Sequence, residues 1–287
     1  MILKYLKIFF GILLFLFLLI KFDFNSVLKV IKLSDIVYIS IGFSLFFISG
    51  IFEVYKFSAI LPSRYSFFEV FKIVYSGLFF NNFMPTNIGG DAYRILKLAK
   101  KNSYRESSVI VIIDRLNGLA LISLISLFVL YFRPIDLTLL SIDLNYNSSF
   151  ITLIVILLLA LLVKFSMSKY AKEVLNDIKL ISIPKYITSV MYSALFHIFR
   201  IVGIYCFVLA VGSDMNIIDI PVVLSIVLLI SIIPISIGAL GVREAAFVGG
   251  FSLYLVEPVS GLAIAILTRV FLFIQAIVGY FAFSHNG

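Results

Sequence analysis

Four stretches of the chain, residues 36–55, 109–132, 186–211 and 259–283, are strongly apolar and long enough to cross a bilayer as helices. A hydrocarbon core of ~30 Å takes about 20 helical residues. No water reaches that core, so a spanning segment must be a helix or part of a closed barrel. Runs of this length read as helices. Two shorter runs, 8–20 and 150–166, bring the expected number of spans to six. Lys4, Lys7 and Lys21 can snorkel to lengthen the first. It is read as a retained helix, because Lys21, Phe22 and Asp23 follow it where a small-residue cleavage site would stand.

Composition enforces the class. Hydrophobic residues make up 62%, charged residues 13%, and mean hydropathy is +1.15. A soluble domain is about half apolar and a quarter charged. The expected fold is an all-α polytopic membrane protein, a single integral domain over 1–287, with no stretch polar enough for a soluble catalytic domain. The net charge of +8 comes from basic residues at the ends of apolar runs. There they orient helices and meet anionic lipid, so no nucleic-acid partner is expected. Cys206 is the single cysteine, which excludes an intrachain disulfide or a cysteine-based metal site.

Within this apolar chain one phrase occurs twice. Pro85-Thr86-Asn87-Ile88-Gly89-Gly90 leads into Asp91 and Arg94; Pro234-Ile235-Ser236-Ile237-Gly238-Ala239 leads into Gly241, Arg243 and Glu244. Proline removes a backbone donor and glycine permits unusual dihedrals, so each copy should break a helix at membrane depth. Such a break is tolerated only where protein or a water-filled cavity covers it. Segments 68–84 and 220–234 end at the breaks, and 90–101 and 241–255 follow them. They are expected to form two re-entrant helical hairpins.

Positive charge sets an expected topology. Lys164, Lys169, Lys172, Lys179 and Lys185 fall in one loop, Lys97, Lys100, Lys101 and Arg105 in another, and Lys56, Arg64 and Lys72 in a third. Placing these loops in the cytoplasm puts both termini inside and the 133–149 loop outside. Lys21, Lys29 and Lys32 run against this placement. On this topology the first hairpin enters from the cytoplasm and the second from outside. The halves, approximately 36–132 and 186–283, then form an inverted repeat, with 1–35 an extra N-terminal helix and 133–185 a connector with one span. Glu69 stands 16 residues before Pro85 and Asp219 stands 15 before Pro234; Arg115 and Arg269 follow in the next helices. Paired breaks in two such halves are a sequence pointer to a transport site.

Arg115, Arg200, Arg243 and Arg269 lie inside apolar runs, where each costs about 2.5–3.5 kcal/mol at a helix centre on insertion scales. Arg94 follows the first break, and the nearby acids are Asp91, Asp114 and Glu244. One reading makes Asp114–Arg115 and Arg243–Glu244 internal ion pairs. Yet arginines outnumber acids in this set by five to three. An excess of guanidinium calls for an anion, and its planar fork of donors suits phosphate. Helix N-termini at 90–92 and 241–243 would add free N–H groups, with Gly89, Gly90, Gly238 and Gly241 allowing close approach. His197, Arg200, Asn117 and Gln275 form a candidate surrounding shell, His197 reading more simply as hydrogen-bonded packing. Glu53 reads as an interfacial charge. No cofactor and no metal is expected, since no Asp-x-Asp, Asp-Asp-x-x-Asp, Walker or Gly-x-Ser-x-Gly pattern occurs.

Pro85 through Arg94, Val111-Ile112-Ile113-Asp114-Arg115-Leu116, and Ile233-Pro234 through Gly238-Ala239-Leu240-Gly241-Val242-Arg243-Glu244 together resemble the lysylphosphatidylglycerol synthase transmembrane-region family, also called the flippase-like domain family. The Gly-Val-Arg-Glu piece is the most specific, and the terminal helix with Arg269 and Gly279 fits as well. Where the family commonly reads Gly-Glu, this chain has Gly90-Asp91, a carboxylate on a shorter arm. In two-domain synthases of the family a soluble domain makes the aminoacyl lipid and the membrane domain translocates it. The resemblance implies a stand-alone translocating module without lysyl transfer.

Three functions stay open on the sequence. The first is a flippase in the cytoplasmic membrane for a phospholipid or polyprenyl-phosphate lipid, with Arg94, Arg115, Arg243 and Arg269 on the phosphate and Asp91, Asp114 and Glu244 neutralising. The second is an intramembrane transferase with Asp91 or Asp114 as base. The third is a non-catalytic subunit, as a homo-oligomer or beside an envelope-synthesis enzyme.

Overall fold

The computed structural model describes residues 2–62, 65–84, 89–135, 182–232 and 236–284, with side chains from Phe9 onward. Among these residues all regular structure is helical. Four helices have the length and apolarity of membrane spans: α3 (Ile36–Ile60), α6 (Tyr104–Phe132), α7 (Ile183–Ala210) and α10 (Pro258–Ser284). They match four of the expected runs and extend most of them by a few residues. The expected span 150–166 lies outside the described residues. Local chemistry starts these helices well. Asp35 caps α3, Ser103 and Glu106 form a reciprocal capping box on α6, and Pro184 opens α7.

The N-terminal segment is two helices. Ahead of α3, α1 (Ile2–Lys21) meets α2 (Phe24–Leu33) at a bend of 77°, and the pair makes a fifth span only if counted as one. Asp23 sits at the bend, and its carboxylate accepts from the amides of Asn25 and Ser26. Helix α2 is amphipathic. Val27 is buried, Val30 and Ile31 pack with it, and Lys29 and Lys32 are exposed. The lysines that disagreed with a simple topology therefore sit on the outer face of a helix, not in an unstructured loop.

At the centre α3 and α7 pack antiparallel. Gly42 faces Gly203, so close that a β-carbon on Gly203 would lie 3.3 Å from the Gly42 carbonyl. Further along, Ser189 donates to the Lys56 carbonyl at 3.0 Å. Small residues let apolar helices approach where lipid gives no hydrophobic gain. Phe46, Phe207 and Phe271 fill the adjoining core, with ring centroids 5.5 and 4.9 Å from Phe46.

Between these spans lie two antiparallel hairpins, α4 (Phe67–Phe83) with α5 (Gly89–Leu98), and α8 (Ile220–Ile232) with α9 (Val242–Ser252). The longest arm has 17 residues, about 25 Å at 1.5 Å per residue, shorter than the ~30 Å hydrocarbon core. Lys101 reaches Glu69 at 2.5 Å, which ties the exit of α5 to the start of α4. That bond and the Ser66 amide hold the Glu69 carboxyl below its usual range. Asp219 before α8 and Tyr254 after α9 line one cavity, so the second hairpin also returns to its start. The apices 85–88 and 233–235, with Pro85 and Pro234, lie outside the described residues.

Each hairpin leans on the far span of the other half. Helix α4 packs on α10 and α8 on α6, where Ser126 donates to the Pro221 carbonyl at 2.7 Å. Within the halves α4 packs on α5 and α5 on α6, as α8 does on α9 and α9 on α10. Exchanging α3–α6 for α7–α10 leaves these pairings unchanged.

Candidate functional site

Helices α3, α5 and α6 bring one group of charges together. Arg94 projects from α5 and is 5% exposed. Its guanidinium lies 3.5 Å from Glu53 on α3 and 3.7 Å from Asp114 on α6, and it donates to the Val74 carbonyl at 3.3 Å. Lys56, one helical turn after Glu53, reaches Asp114 at 3.1 Å. Arg115 pairs with Asp91 instead of its neighbour Asp114. Successive residues on a helix point apart, so Asp114 turns inward to α3 while Arg115 turns toward α5. The three cations of this group thus meet three carboxylates.

The second group forms where α9 and α10 meet the second break. Glu244 is fully buried and accepts from Arg269 Nε at 2.6 Å and from the Gly241 amide at 2.7 Å. Arg269 also donates to the carbonyls of Gly238 at 2.8 Å and Ala239 at 3.1 Å. One guanidinium therefore satisfies both the buried acid and the carbonyls exposed by the break. Gly238 has φ 57° and ψ 21°, in the left-handed region that glycine enters without penalty. A β-carbon there would also lie 2.9 Å from the Asn82 carbonyl on the first hairpin.

Arg243 and Arg200 differ from the rest. Both are half-buried, and neither has a carboxylate within 4 Å among the described residues. Arg243 Nε reaches Ser231 Oγ at 3.5 Å. Arg200 lies over Phe46 and Phe196, 5.2 and 5.1 Å from their ring centroids, and its Nε has no hydrogen-bond partner. Arg200 and Arg269 both act electrostatically on Arg243, while Glu53 and Tyr75 act on Arg200, so Arg200 feels charges of both groups. Gln275 on α10 is 1% exposed, and its side-chain amide faces the Tyr75 hydroxyl. It approaches α3 beside Tyr75: a β-carbon on Gly50 would lie 2.5 Å from the Tyr75 hydroxyl and 3.2 Å from the Gln275 amide nitrogen.

Several sequence expectations change in this light. Glu244 does not pair with Arg243, nor Asp114 with Arg115. The helix N-termini are not open donors at their first residues, because the Gly90 amide bonds Asn81 Oδ1 at 2.8 Å and the Gly241 amide bonds Glu244. Gly89 keeps helical dihedrals; what surrounds it is Met84, whose Cβ would lie 2.5 Å from an added methyl. Gly90 is confined more tightly, with the Gly77 carbonyl 2.1 Å from such a methyl. Glu53 is interior, not interfacial, and Lys56 belongs to α3, not to a loop. His197 donates from Nε2 to the Gly118 carbonyl at 2.9 Å, and Asn117 donates to Ser189 at 3.2 Å, both packing roles that bind α6 to α7.

The open cavity, about 570 Å³, lies elsewhere, at the mouth of the second hairpin between Arg133, Asp214, Asp219 and Tyr254. Arg133 pairs there with Asp219 at 3.1 Å, and burial pushes the Asp219 carboxyl above its usual range although Arg133 pulls the other way. Among the described residues no three His, Cys, Asp or Glu side chains come close enough to hold a metal ion.

No curated protein matches the chain. Residues 4–279 match the family described as Lysylphosphatidylglycerol synthase TM region, a span that covers both hairpins, three long helices, most of α10 and every charged residue of the two groups. The chain is a multi-pass membrane protein that belongs to the lysylphosphatidylglycerol synthase TM region family.

Proposed function

We propose that the chain translocates a phosphate-bearing lipid, with the headgroup held between the two hairpins and the tails left in the bilayer. The pairing of the interior arginines carries this reading. Arg94, Arg115 and Arg269 each have a carboxylate within reach, whereas Arg200 and Arg243 have none among the described residues. A guanidinium at membrane depth without a counter-charge is costly, and an anionic ligand supplies one. Arg200 and Arg243 are thus the headgroup residues of this reading. Arg94, Arg115, Arg269, Asp91, Asp114 and Glu244 form the frame around them, with the glycines at the turns.

The motion belongs to the halves. We read α3–α6 and α7–α10 as an inverted repeat with two re-entrant hairpins, because the two sets of helix pairings interchange. Access then alternates as one half rocks against the other about the α3–α7 contact. The transferase reading gains nothing here. It needs a free carboxylate base, and Asp91 is held by Arg115 and Asp114 by Lys56 and Arg94.

The test is leaflet exchange in liposomes. The purified protein should speed the exchange of fluorescent phosphatidic acid and phosphatidylglycerol without making a new covalent product. Arg243→Ala should cut that rate at least about tenfold, as the loss of one charge-assisted bond implies. Wild-type exchange by a folded Arg243→Ala protein would remove this site from consideration.

A further inference from the structure

The charge count among the described residues of the two groups is uneven. Lys56, Arg94 and Arg115 stand against Glu53, Asp91 and Asp114, so the first group is neutral as a set. Arg200, Arg243 and Arg269 stand against Glu244 alone. The surplus is two cations, and it falls on the two arginines that lack carboxylates. The two lie near enough for their like charges to repel. A single negative charge would leave one of them uncompensated.

We propose that the site is matched to a headgroup bearing two negative charges, a phosphomonoester or a diphosphate, in preference to a singly charged phosphodiester. The proposal rests on the phosphate-lipid reading above and narrows it. Above its second pKa of about 6 a phosphomonoester carries nearly two charges and three acceptor oxygens. That is enough to take a fork of donors from Arg243 and a second from Arg200 at once. Arg200 suits this role because the faces of Phe46 and Phe196 hold its guanidinium while Nε stays unpartnered. Gln275, whose buried amide lies beside Tyr75, has a second N–H that offers a neutral hydrogen bond to a third oxygen.

The experiment uses the purified full chain in detergent at pH 8, titrated with matched-chain phosphatidic acid, phosphatidylglycerol and phosphatidylcholine, and separately with inorganic phosphate. Binding is read by native mass spectrometry. Phosphatidic acid should bind about tenfold or more tighter than phosphatidylglycerol, the factor expected for one added charge-assisted contact. Arg200→Gln should weaken phosphatidic acid more than phosphatidylglycerol and so bring that ratio close to one, and Arg200→Lys should keep part of the preference. Inorganic phosphate competing as well as phosphatidic acid would assign the charge match to a free ion, not a lipid, and overturn the proposal in its lipid form. Equal or tighter binding of phosphatidylglycerol would overturn the two-charge match while leaving the phosphate reading intact. Binding of phosphatidylcholine as tight as either anionic lipid would sink the phosphate reading itself. If Arg200→Gln does not fold, Arg243→Lys takes its place. A monoester preference unmoved by that variant, and by Arg200→Lys, would also overturn the assignment.

Discussion

Arg243 and Arg269 look alike in the sequence, since both are arginines within apolar runs after the second break. Their surroundings separate them. Arg269 fills its donors with Glu244 and two carbonyls, so its charge is consumed in holding the break together. Arg243 meets one serine hydroxyl at long range. Breaking one side of a buried ion pair costs about 3–5 kcal/mol, because the other charge stays buried without its partner. Glu244→Ala is therefore expected to lower thermal stability in detergent by that order, and removing Arg269 as well should not restore it, since the Gly238 and Ala239 carbonyls lose their donor. Arg243→Gln should change stability by less than about 1 kcal/mol, as expected for a group without a buried ionic partner. Melting curves of the three proteins check this. An Arg243→Gln loss as large as that of Glu244→Ala would make Arg243 structural. The pairing itself was only half legible. Residue spacing tells which side chains share a helix face, but not which other helix approaches that face. Thus Asp91 and Arg94 share a face in sequence yet serve Arg115 and Glu53 in space. Lys56 was missed because its apolar run was closed at residue 55, one position before it. A Glu53–Lys56 spacing of three within an apolar stretch was the signal that both turn inward together.

At the scale of elements, the two breaks are alike in phrase and different in mechanism. Gly238 needs its positive φ, and its missing side chain admits the Asn82 carbonyl. Gly89 keeps helical dihedrals but has no room beside Met84, whose Cβ is fixed to the backbone 2.5 Å from an added methyl. Gly238→Val should therefore abolish leaflet exchange and lower the melting temperature, while Gly89→Ala should lower both to a smaller extent, because only the backbone at Met84 has to shift. Gly249 gives the control. It lies within α9 with no heavy atom within 4 Å of an added methyl, and alanine has the better helix propensity, by about 1 kcal/mol. Gly249→Ala should keep activity and raise stability slightly. Equal damage from Gly89→Ala and Gly238→Val would mean that the two turns are equivalent after all. The hairpin arms were legible to within a few residues, because apolar runs ending at Pro-x-x-Ile-Gly mark both limits. Helix α2 was not legible. Residues 1–35 read as one extra helix without the break at Asp23, and the pattern that sets α2 apart, Val27, Val30 and Ile31 against Lys29 and Lys32, covers scarcely three turns.

For the whole molecule, the decisive property is the direction of the two hairpins. Helices α3 and α7 run antiparallel, and each precedes its hairpin, so the mouths of the hairpins lie at opposite ends of the bundle. The mouths also carry different locks. Glu69 pairs with Lys101 on its own hairpin, whereas Asp219 pairs with Arg133 at the end of α6, a helix of the other half. If the bundle spans the bilayer as its four long apolar helices require, one mouth faces each aqueous phase. The lysine-rich exit of α5 leads us to expect the first mouth on the cytoplasmic side. Single cysteines report this directly. Cys206 is buried and is first changed to serine. Ser103 caps α6 and should be left in place, so the first reporter is Lys100→Cys in the exposed turn beyond α5, and the second is Ser213→Cys in the turn beyond α7. In intact cells a membrane-impermeant maleimide should label Ser213→Cys and spare Lys100→Cys, and permeabilised cells should label both. Protection of both, or labelling of both, in intact cells would place the two mouths on one side. The inverted arrangement would then fall, and with it the rocking of one half against the other, although the charge pairing within each group would stand.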